Sequence, residues 1–134
     1  MDSGVTETRL VVTASDYEAA VSFYRDVLGM PEIGAFSSPG GHVTILDGGR
    51  ATLELADAAH AAYVDEVEVG RRVAGHVRVA FQVRDGDAAT ARALAGGAEL
   101  IAPPVETPWR SRNARLGGPA GLQLTLFEEL DQPG

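Results

Sequence analysis

The sequence predicts a single α+β domain built from two copies of one β-α-β-β-β unit. Asp16 lies seven residues after Arg9, and Asp85 lies seven residues after Arg78. In both places an extended, β-branched run precedes the aspartate and an alanine-rich, helix-forming run follows it. A frame that recurs after about half the chain predicts an internal duplication.

Length and composition are typical of one folded domain, residues 1–134. The chain is 45% hydrophobic and 22% charged, so it can bury a core. It has no cysteine, which excludes disulfides and thiolate metal sites. The net charge of −8 argues against a nucleic-acid partner, because such binding needs clustered Lys and Arg. The chain has neither an apolar run of membrane-spanning length nor the pattern of a signal peptide, so we expect a cytoplasmic protein without a membrane partner.

The first unit is expected over residues 8–57. Residues 9–14 alternate in polarity and favour a strand. Ser15 to Glu18 matches a capping box with Ser15 as the N-cap, so a helix should begin there, and Gly29 can end it. Three short extended stretches separated by glycine-rich turns follow, near 31–37, 42–46 and 51–56.

The same order recurs in the second unit, residues 75–130. A strand is predicted over 76–83 and a helix over about 87–95. Between the units, the alanine-rich and acidic segment 58–74 reads as a linker with a short helix or a loop. The remaining extended stretches of the second unit are predicted near 98–102, 108–116 and 121–128.

A second matched spacing supports the duplication, since Glu54 follows Asp47 by seven residues and Thr125 follows Gly118 by seven. Further motifs follow in order along the chain: Asp16, Phe23-Tyr24, Leu28-Gly29, Leu53-Glu54-Leu55, Gly118 to Gly121 and Leu124-Thr125-Leu126. With these motifs in this order, the chain resembles the vicinal oxygen chelate superfamily of glyoxalases, bleomycin-resistance proteins, epimerases and extradiol dioxygenases. The resemblance implies two βαβββ modules that form an open, curled mixed sheet around a concave cavity, commonly completed in a homodimer.

The resemblance also implies a metal position, which maps by register onto Arg9, Glu54, Arg78 and Thr125. Only Glu54 is a plausible ligand, because a guanidinium has no lone pair to donate and a threonine hydroxyl is a poor ligand without carboxylate or imidazole company. A register slip of two would put His76 in place of Arg78 and still leave only two ligands. We therefore expect no metal and no other cofactor.

Strand alternation predicts which side chains share the cavity if Arg9 faces into it. Without the resemblance, the same polar face would be an ordinary solvated sheet surface. The side chains expected to line the cavity are Arg9, Thr13, Thr52, Glu54, His76, Arg78, Gln123, Thr125 and Phe127.

The opposite face of the same strands is expected to pack under the helices. It is apolar throughout, as a sheet face covered by helices requires. Its predicted members are Leu10, Val12, Leu53, Leu55, Val77, Val79, Phe81, Leu122, Leu124 and Leu126.

The second unit also contains aromatic, amide and arginine side chains outside the predicted cavity face. Trp109, the single tryptophan, lies on a predicted strand and can either stack on an aromatic ligand or pack at a module interface. Asn113 is a candidate polar contact at the pocket mouth. A solvated strand edge is the expectation for Arg110, Arg112 and Arg115.

These residues predict a metal-independent protein that binds a small acidic or oxygenated molecule, aromatic ones included. Glu54 would pair with one arginine and leave the other for the carboxylate, enolate or quinone oxygens of the ligand. The alternative is a lyase, isomerase or cyclase that acts on an oxygenated metabolite, with Glu54, Arg9 and Arg78 in acid-base or electrostatic roles; Glu54, alone or with His76, would be the base. A dimerisation or regulatory module with a vestigial cavity is a third hypothesis, and the fold does not choose among them.

Overall fold

The computed structural model describes residues 9–10, 12, 14–38, 41–51, 54 and 56–130. Its helices are α1 (Tyr17–Val21), which continues as a wider π turn over Ser22–Val27, α2 (Ala58–Glu68) and α3 (Gly86–Ala95). Its strands are β1 (Glu32–Ser38), β2 (Gly41–Leu46), β3 (Val79–Gln82), β4 (Glu99–Glu106), β5 (Ser111–Gly117) and β6 (Gln123–Glu129), with a 3-10 turn over Pro119–Gly121.

The strands form two open sheets rather than a closed barrel. β1 and β2 are an antiparallel hairpin, and the second sheet has the order β3-β6-β5-β4. In that sheet β3 runs parallel to β6, whereas β4-β5 and β5-β6 are antiparallel. The predicted α+β class with a mixed sheet is confirmed.

The two repeated aspartates start the two corresponding helices. The Asp16 carboxylate accepts a hydrogen bond from the Ala19 N–H at 3.1 Å, and the Asp85 carboxylate accepts one from the Ala88 N–H at 3.1 Å. Each satisfies a backbone donor that the first helical turn leaves unpaired. The predicted Ser15 N-cap is therefore wrong by one residue, because the aspartate reaches the free N–H groups instead.

The core lies between one face of the larger sheet and two helices, α1 with its π turn and α3. Leu124 and Leu126 are fully buried there, as strand alternation predicted. Burial raises the pKa of the Tyr24 phenol to about 12, and its hydroxyl donates to the Pro119 carbonyl at 2.8 Å. The buried members of this core are Phe23, Tyr24, Ala93, Ala98, Leu116, Leu124 and Leu126, with Val79, Phe81 and Leu122 packed against them.

The first strand of each unit differs from the prediction. The described residues of 9–14 belong to no strand, and β3 begins at Val79 rather than at residue 76. Leu10, Val12 and Val77 are exposed instead of buried, because without neighbouring strands they have no sheet face to cover. Leu53 and Leu55 lie outside the described residues, as does half of the stretch expected near 51–56.

The segment expected to be a linker contains α2, an eleven-residue helix. Asp57 caps it by accepting a hydrogen bond from the His60 N–H at 2.9 Å. In the described part of the chain, no helix is long and apolar enough to cross a membrane. The cytoplasmic location stays a prediction.

Gly118 is the point at which the turn after β5 comes closest to the core. Its φ of −101° is open to any residue, so its restriction is steric. A Cβ built on Gly118 would lie 2.8 Å from Leu124 Cδ1 and 2.8 Å from Tyr24 Oη. Both side chains are buried, so neither has free space into which to move.

We therefore expect Gly118→Ala to lower the free energy of unfolding by about 1–3 kcal/mol, the usual cost of overpacking. Gly117→Ala is the matched control, because a Cβ there meets nothing closer than 3.9 Å. Urea denaturation of both variants measures the effect. Equal stability of the two variants would contradict the close approach at Gly118.

Candidate functional site

The second face of the larger sheet is polar and is covered by α2. Register places Thr125 opposite Arg115 and Gln123 opposite Gly117, so the side chains of Arg115, Gln123 and Thr125 share the face opposite the leucine core. The buried residues of α2 are Asp65 and Glu68, which are 1% and 3% exposed. The helix therefore faces the sheet with carboxylates rather than with an apolar stripe.

Arg115 is the centre of this polar face, with 0% of its surface exposed. Its Nη1 donates to Asp65 Oδ1 at 2.8 Å and to Gln123 Oε1 at 2.7 Å. Its Nη2 and Nε donate to Glu68 Oε1 at 2.7 Å and 3.2 Å. The expectation of a solvated edge for Arg115 is wrong, because two acids some fifty residues away in sequence compensate its charge in the interior.

Asp65 is fixed by donors on both carboxylate oxygens. Oδ2 accepts from the N–H groups of Val73 and Ala74 at 2.8 Å and 2.9 Å, and from Arg72 Nη1 at 2.6 Å. Burial by itself raises the pKa of Asp65, but these backbone and guanidinium donors, with Arg115, outweigh it and leave the pKa below its usual value. Asp65 is therefore ionised at neutral pH.

Asn113 lies beside Glu68 and has one unused polar atom. Its Nδ2 donates to Glu68 Oε2 at 2.7 Å. Its Oδ1 is buried and has no hydrogen-bond partner. Both acids of α2 can only accept when ionised, so neither can satisfy this oxygen. An unsatisfied buried acceptor is costly, which makes Asn113 a candidate contact for a bound donor.

Arg78 is the second inward-facing cation. Its Nη1 donates to Thr125 Oγ1 at 2.6 Å, and among the described residues no carboxylate forms an ion pair with it. Burial and, to a smaller extent, the positive charge of Arg115 lower the pKa of Arg78, while Glu68, Asp65 and Glu54 act in the opposite direction. The guanidinium still remains charged, since its pKa starts far above neutrality.

The predicted lining residues are only partly brought together. Gln123, Thr125 and Asn113 converge on Arg115 or on its acids, and Arg78 contacts Thr125. Trp109 lies in the turn between β4 and β5, where its ring is 6.1 Å from that of Tyr63 on α2. Four other predicted lining residues are exposed or half-buried, namely Arg9, Glu54, His76 and Phe127. The last two, Thr13 and Thr52, lie outside the described residues.

Sequence reasoning missed Asp65, Glu68 and Arg115. The signal for α2 was present, because Asp57 can cap a helix and the two acids are three residues apart on one helical face. The signal for Arg115 was the register with Thr125, which puts both side chains on the same sheet face. No local sequence pattern indicates that Asp65 and Glu68 meet Arg115 in the folded chain.

An open depression of about 440 Å³ lies at the end of the sheet, beside this cluster. Glu99, Ile101, Leu122 and Gln123 contribute to its walls. Gln123 connects the depression to the charged cluster, because its side chain also accepts from Arg115 Nη1.

The sequence-family model of the Glyoxalase/Bleomycin resistance protein/Dioxygenase superfamily matches residues 8–126 of the chain. The chain belongs to this superfamily. A comparison with curated proteins found no match.

Solved structures support the same fold. A glyoxalase-related enzyme from Fulvimarina pelagi is 17% identical with a TM-score of 0.57, covering 93% of this chain and 89% of that one. A glyoxalase family protein from Bacillus cereus is 20% identical with a TM-score of 0.57, covering 98% and 100%. TioX from Micromonospora sp. ML1 is 22% identical with a TM-score of 0.56, covering 95% and 100%.

The metal that the superfamily implies does not fit the side chains at the mapped positions. Arg9 and Arg78 bring positive charge and no lone pair, and Thr125 is already engaged by Arg78. Among the described residues, no three His, Cys, Asp or Glu side chains are grouped as metal ligands would be. Glu54 alone does not make a site for a transition metal.

The lowered pKa of Asp65 predicts a specific pH dependence of stability. Because the folded pKa is lower than the unfolded value of about 3.9, the carboxylate stabilises the fold above about pH 4 and loses this effect as the pH falls toward the folded pKa. We expect Asp65→Asn to cost about 1–3 kcal/mol at pH 7. The gap between the wild-type protein and the variant should narrow on acidification.

Urea denaturation between pH 7 and pH 2.5 measures this gap. Asp87→Asn is the control, since Asp87 pairs with Arg112 at 3.0 Å on the surface and its loss should cost below about 1 kcal/mol. A gap between wild type and Asp65→Asn that stays constant over this range would contradict the assigned ionisation.

Proposed function

We propose that this protein binds a small acidic or oxygenated molecule, aromatic ones included, through Arg78 and without a metal. The observation that carries the proposal is the state of the Arg78 guanidinium, which is half-buried and hydrogen-bonded to a neutral hydroxyl. A desolvated guanidinium with a neutral partner keeps planar donors free for carboxylate, enolate or quinone oxygens. Thr125 would then orient the guanidinium for the ligand.

The lack of a direct ion pair at Arg78 supports an anionic ligand. Asp65 pairs with Arg72 and Arg115, and Glu68 pairs with Arg115. Among the described residues no carboxylate pairs with Arg78, and the charges of Glu68, Asp65 and Glu54 favour its charged form only from a greater distance. A bound anion would supply the direct ion pair.

Metal independence follows from the same chemistry. A divalent cation would have to bind next to Arg78, whose charge repels it and whose nitrogens offer no lone pair. The ligand's negative oxygens, which a metal would bind in other proteins of this type, are instead expected to accept hydrogen bonds from guanidinium groups. The proposed protein therefore needs no cofactor.

A second candidate is a lyase, isomerase or cyclase that acts on an oxygenated metabolite. It is favoured by the position of Glu54, which is exposed and lies close enough to Arg78 to stabilise the charged guanidinium. A carboxylate beside an anion-binding arginine could move a proton to or from the bound molecule while Arg78 stabilises the developing charge. Fold membership is shared by binding proteins and enzymes, so it does not decide between the candidates.

The proposal predicts that Arg78→Ala weakens binding of benzoate-type acids by about 1.5–3 kcal/mol, the loss expected for a charge-assisted hydrogen bond. Calorimetry with a panel of aromatic acids and their neutral amides measures this, with Arg84→Ala as an exposed control. Binding by the wild-type protein should be unchanged by EDTA. Equal affinities for acids and amides would overturn the arginine role, and loss with EDTA would overturn metal independence.

Glu54→Gln separates the two candidates in the same assay. For a binding protein, the variant should hold acids as tightly as the wild type or more tightly, because a competing negative charge near Arg78 is removed. For an enzyme, it should still bind substrate but lose turnover. The two outcomes differ in what is measured, affinity in one case and product in the other.

We also propose that the chain forms a homodimer through the β1-β2 hairpin. Phe36 and Val43 are register partners on one face of the hairpin and are 62% and 47% exposed. A two-stranded hairpin with an uncovered apolar face is marginal in water, so a partner surface would stabilise it. A second copy of the chain is the occupant that the superfamily suggests.

Light scattering should therefore give twice the chain mass of 14.0 kDa. Phe36→Asp places a charge in the proposed interface and should shift the protein toward the monomer, whereas the exposed control Glu66→Gln should not. A wild-type monomer at micromolar concentration would contradict the dimer.

A further inference from the structure

The attachment of α2 to the sheet is polar, which is unusual for a surface helix. Such helices normally bury a stripe of apolar side chains against the core. Here the buried side chains of α2 are Asp65 and Glu68, while Val64 and Val67 are only half-buried and Tyr63 is exposed. The position of α2 therefore depends mainly on its two carboxylates.

We infer that the sheet face around Arg115 is a dicarboxylate-binding site and that α2 is its displaceable internal occupant. The inference rests on the proposed function, since it extends the anion site of Arg78 to the neighbouring Arg115. In the described conformation, the carboxylates of Asp65 and Glu68 occupy the positions that we assign to the ligand's two carboxylates. A small dicarboxylate would take their hydrogen bonds and release the helix.

The site is built for carboxylates independently of α2. Arg115 presents donors in two directions, toward Asp65 and toward Glu68, and Gln123 on the adjacent strand helps to hold the guanidinium by accepting from Nη1. Asn113 adds a third donor, to the outer oxygen of Glu68. Planar, multiple donation of this kind is what distinguishes an arginine site for carboxylates from a single surface ion pair.

Asn113 also indicates what the internal occupant lacks. Its buried Oδ1 has no partner, and ionised carboxylates have no proton to offer it. A ligand that carries a hydroxyl next to a carboxylate could donate to this oxygen while keeping the bond to Nδ2. We therefore expect hydroxylated dicarboxylates to bind more tightly than the unsubstituted ones.

Displacement of α2 is energetically reasonable. Burying charged pairs costs desolvation that roughly cancels their attraction, so ion pairs by themselves hold a helix weakly. Irregular chain follows α2 over 69–78, where Gly70 has a left-handed φ of +90°. A competing ligand needs to replace the bonds that Asp65 and Glu68 make to Arg115 and Asn113. The bonds of Asp65 to Arg72, Val73 and Ala74 lie within the segment 58–74 itself.

The protein contains its own reporter for this movement. Trp109 is the single tryptophan, and its ring lies 6.1 Å from that of Tyr63 on α2. Departure of α2 would separate the two rings and expose Trp109 further. Tryptophan fluorescence and hydrogen exchange of residues 58–68 therefore both follow the docking of the helix.

The test titrates the full wild-type chain with malate, succinate and acetate. We expect malate to bind more tightly than succinate, and acetate to bind most weakly. Malate should also speed hydrogen exchange in residues 58–68 by about tenfold or more and shift the Trp109 emission to the red. Slower hydrogen exchange of residues 58–68 on malate binding would overturn the inference, because a helix that only packs over a ligand becomes more protected from exchange.

The double variant Asp65→Asn/Glu68→Gln removes the competing charges but keeps the side-chain shapes. It should bind malate about tenfold or more tightly than the wild type, whereas Glu66→Gln, an exposed change on the same helix, should leave the affinity unchanged. An unchanged or weaker affinity of the double variant would overturn the inference. If the double variant does not fold, exchange in the wild-type protein still decides.

The outcomes separate this inference from the proposed function. If aromatic acids bind through Arg78 but malate neither binds nor loosens α2, the proposed function stands and the internal occupant is rejected. If no acid binds to the wild type or to the double variant, both are rejected. If malate binds only to the double variant, α2 is an occupant that blocks the site in the isolated chain.

Discussion

The fully buried guanidinium of Arg115 is the constraint on which the arrangement of the second unit depends. An arginine placed in the middle of a sheet cannot lose its charge, so the interior must supply anions. Asp65 and Glu68 supply them at 2.8 Å and 2.7 Å, and in doing so they fix α2 over the sheet. Asp65 in turn orders the chain after the helix, because Val73 and Ala74 donate to it. One side chain thus positions a helix and its connection.

The larger sheet has one apolar face and one polar face, because successive side chains along a strand point to opposite sides. Leu124 and Leu126 point to the helices and are fully buried, whereas Thr125 between them points to Arg115 and Arg78. The apolar face gains from the removal of hydrocarbon from water, which needs no particular partner. The polar face is stable only when its buried charges have counterparts, as Arg115 has in Asp65 and Glu68.

The parts of the fold that follow local rules were predictable. Asp16 and Asp85 cap helices because of side-chain geometry within a few residues, and the leucines of β6 follow the period of a strand. The role of Arg115 was not predictable in this way, since its acids lie 47 and 50 positions away and meet it only after the chain folds. A solvated edge and a buried ion cluster have the same local sequence.

The first strands of the units mark the other limit of sequence reasoning. Alternation around Leu10 and Val77 describes a strand with one apolar face, but a strand also needs a neighbour to pair with, which the pattern does not specify. In the second unit the pairing of β3 with β6 starts only at Val79, so Arg78 lies just before the sheet. From there its guanidinium reaches Thr125 without being enclosed in the core.

The proposed function reverses the charges of a metal site. In a metal site lone pairs surround a cation and the ligand completes the coordination, whereas in the proposed site the protein would provide the cations and the ligand the anion. The chain, with a net charge of −8, can also supply anions from its own carboxylates. Asp65 and Glu68 are such acids, and together they neutralise Arg115 but leave Arg78 with a neutral partner. Under the proposed function, Arg78, which has no direct ion pair among the described residues, is therefore the position at which an anionic ligand would gain most.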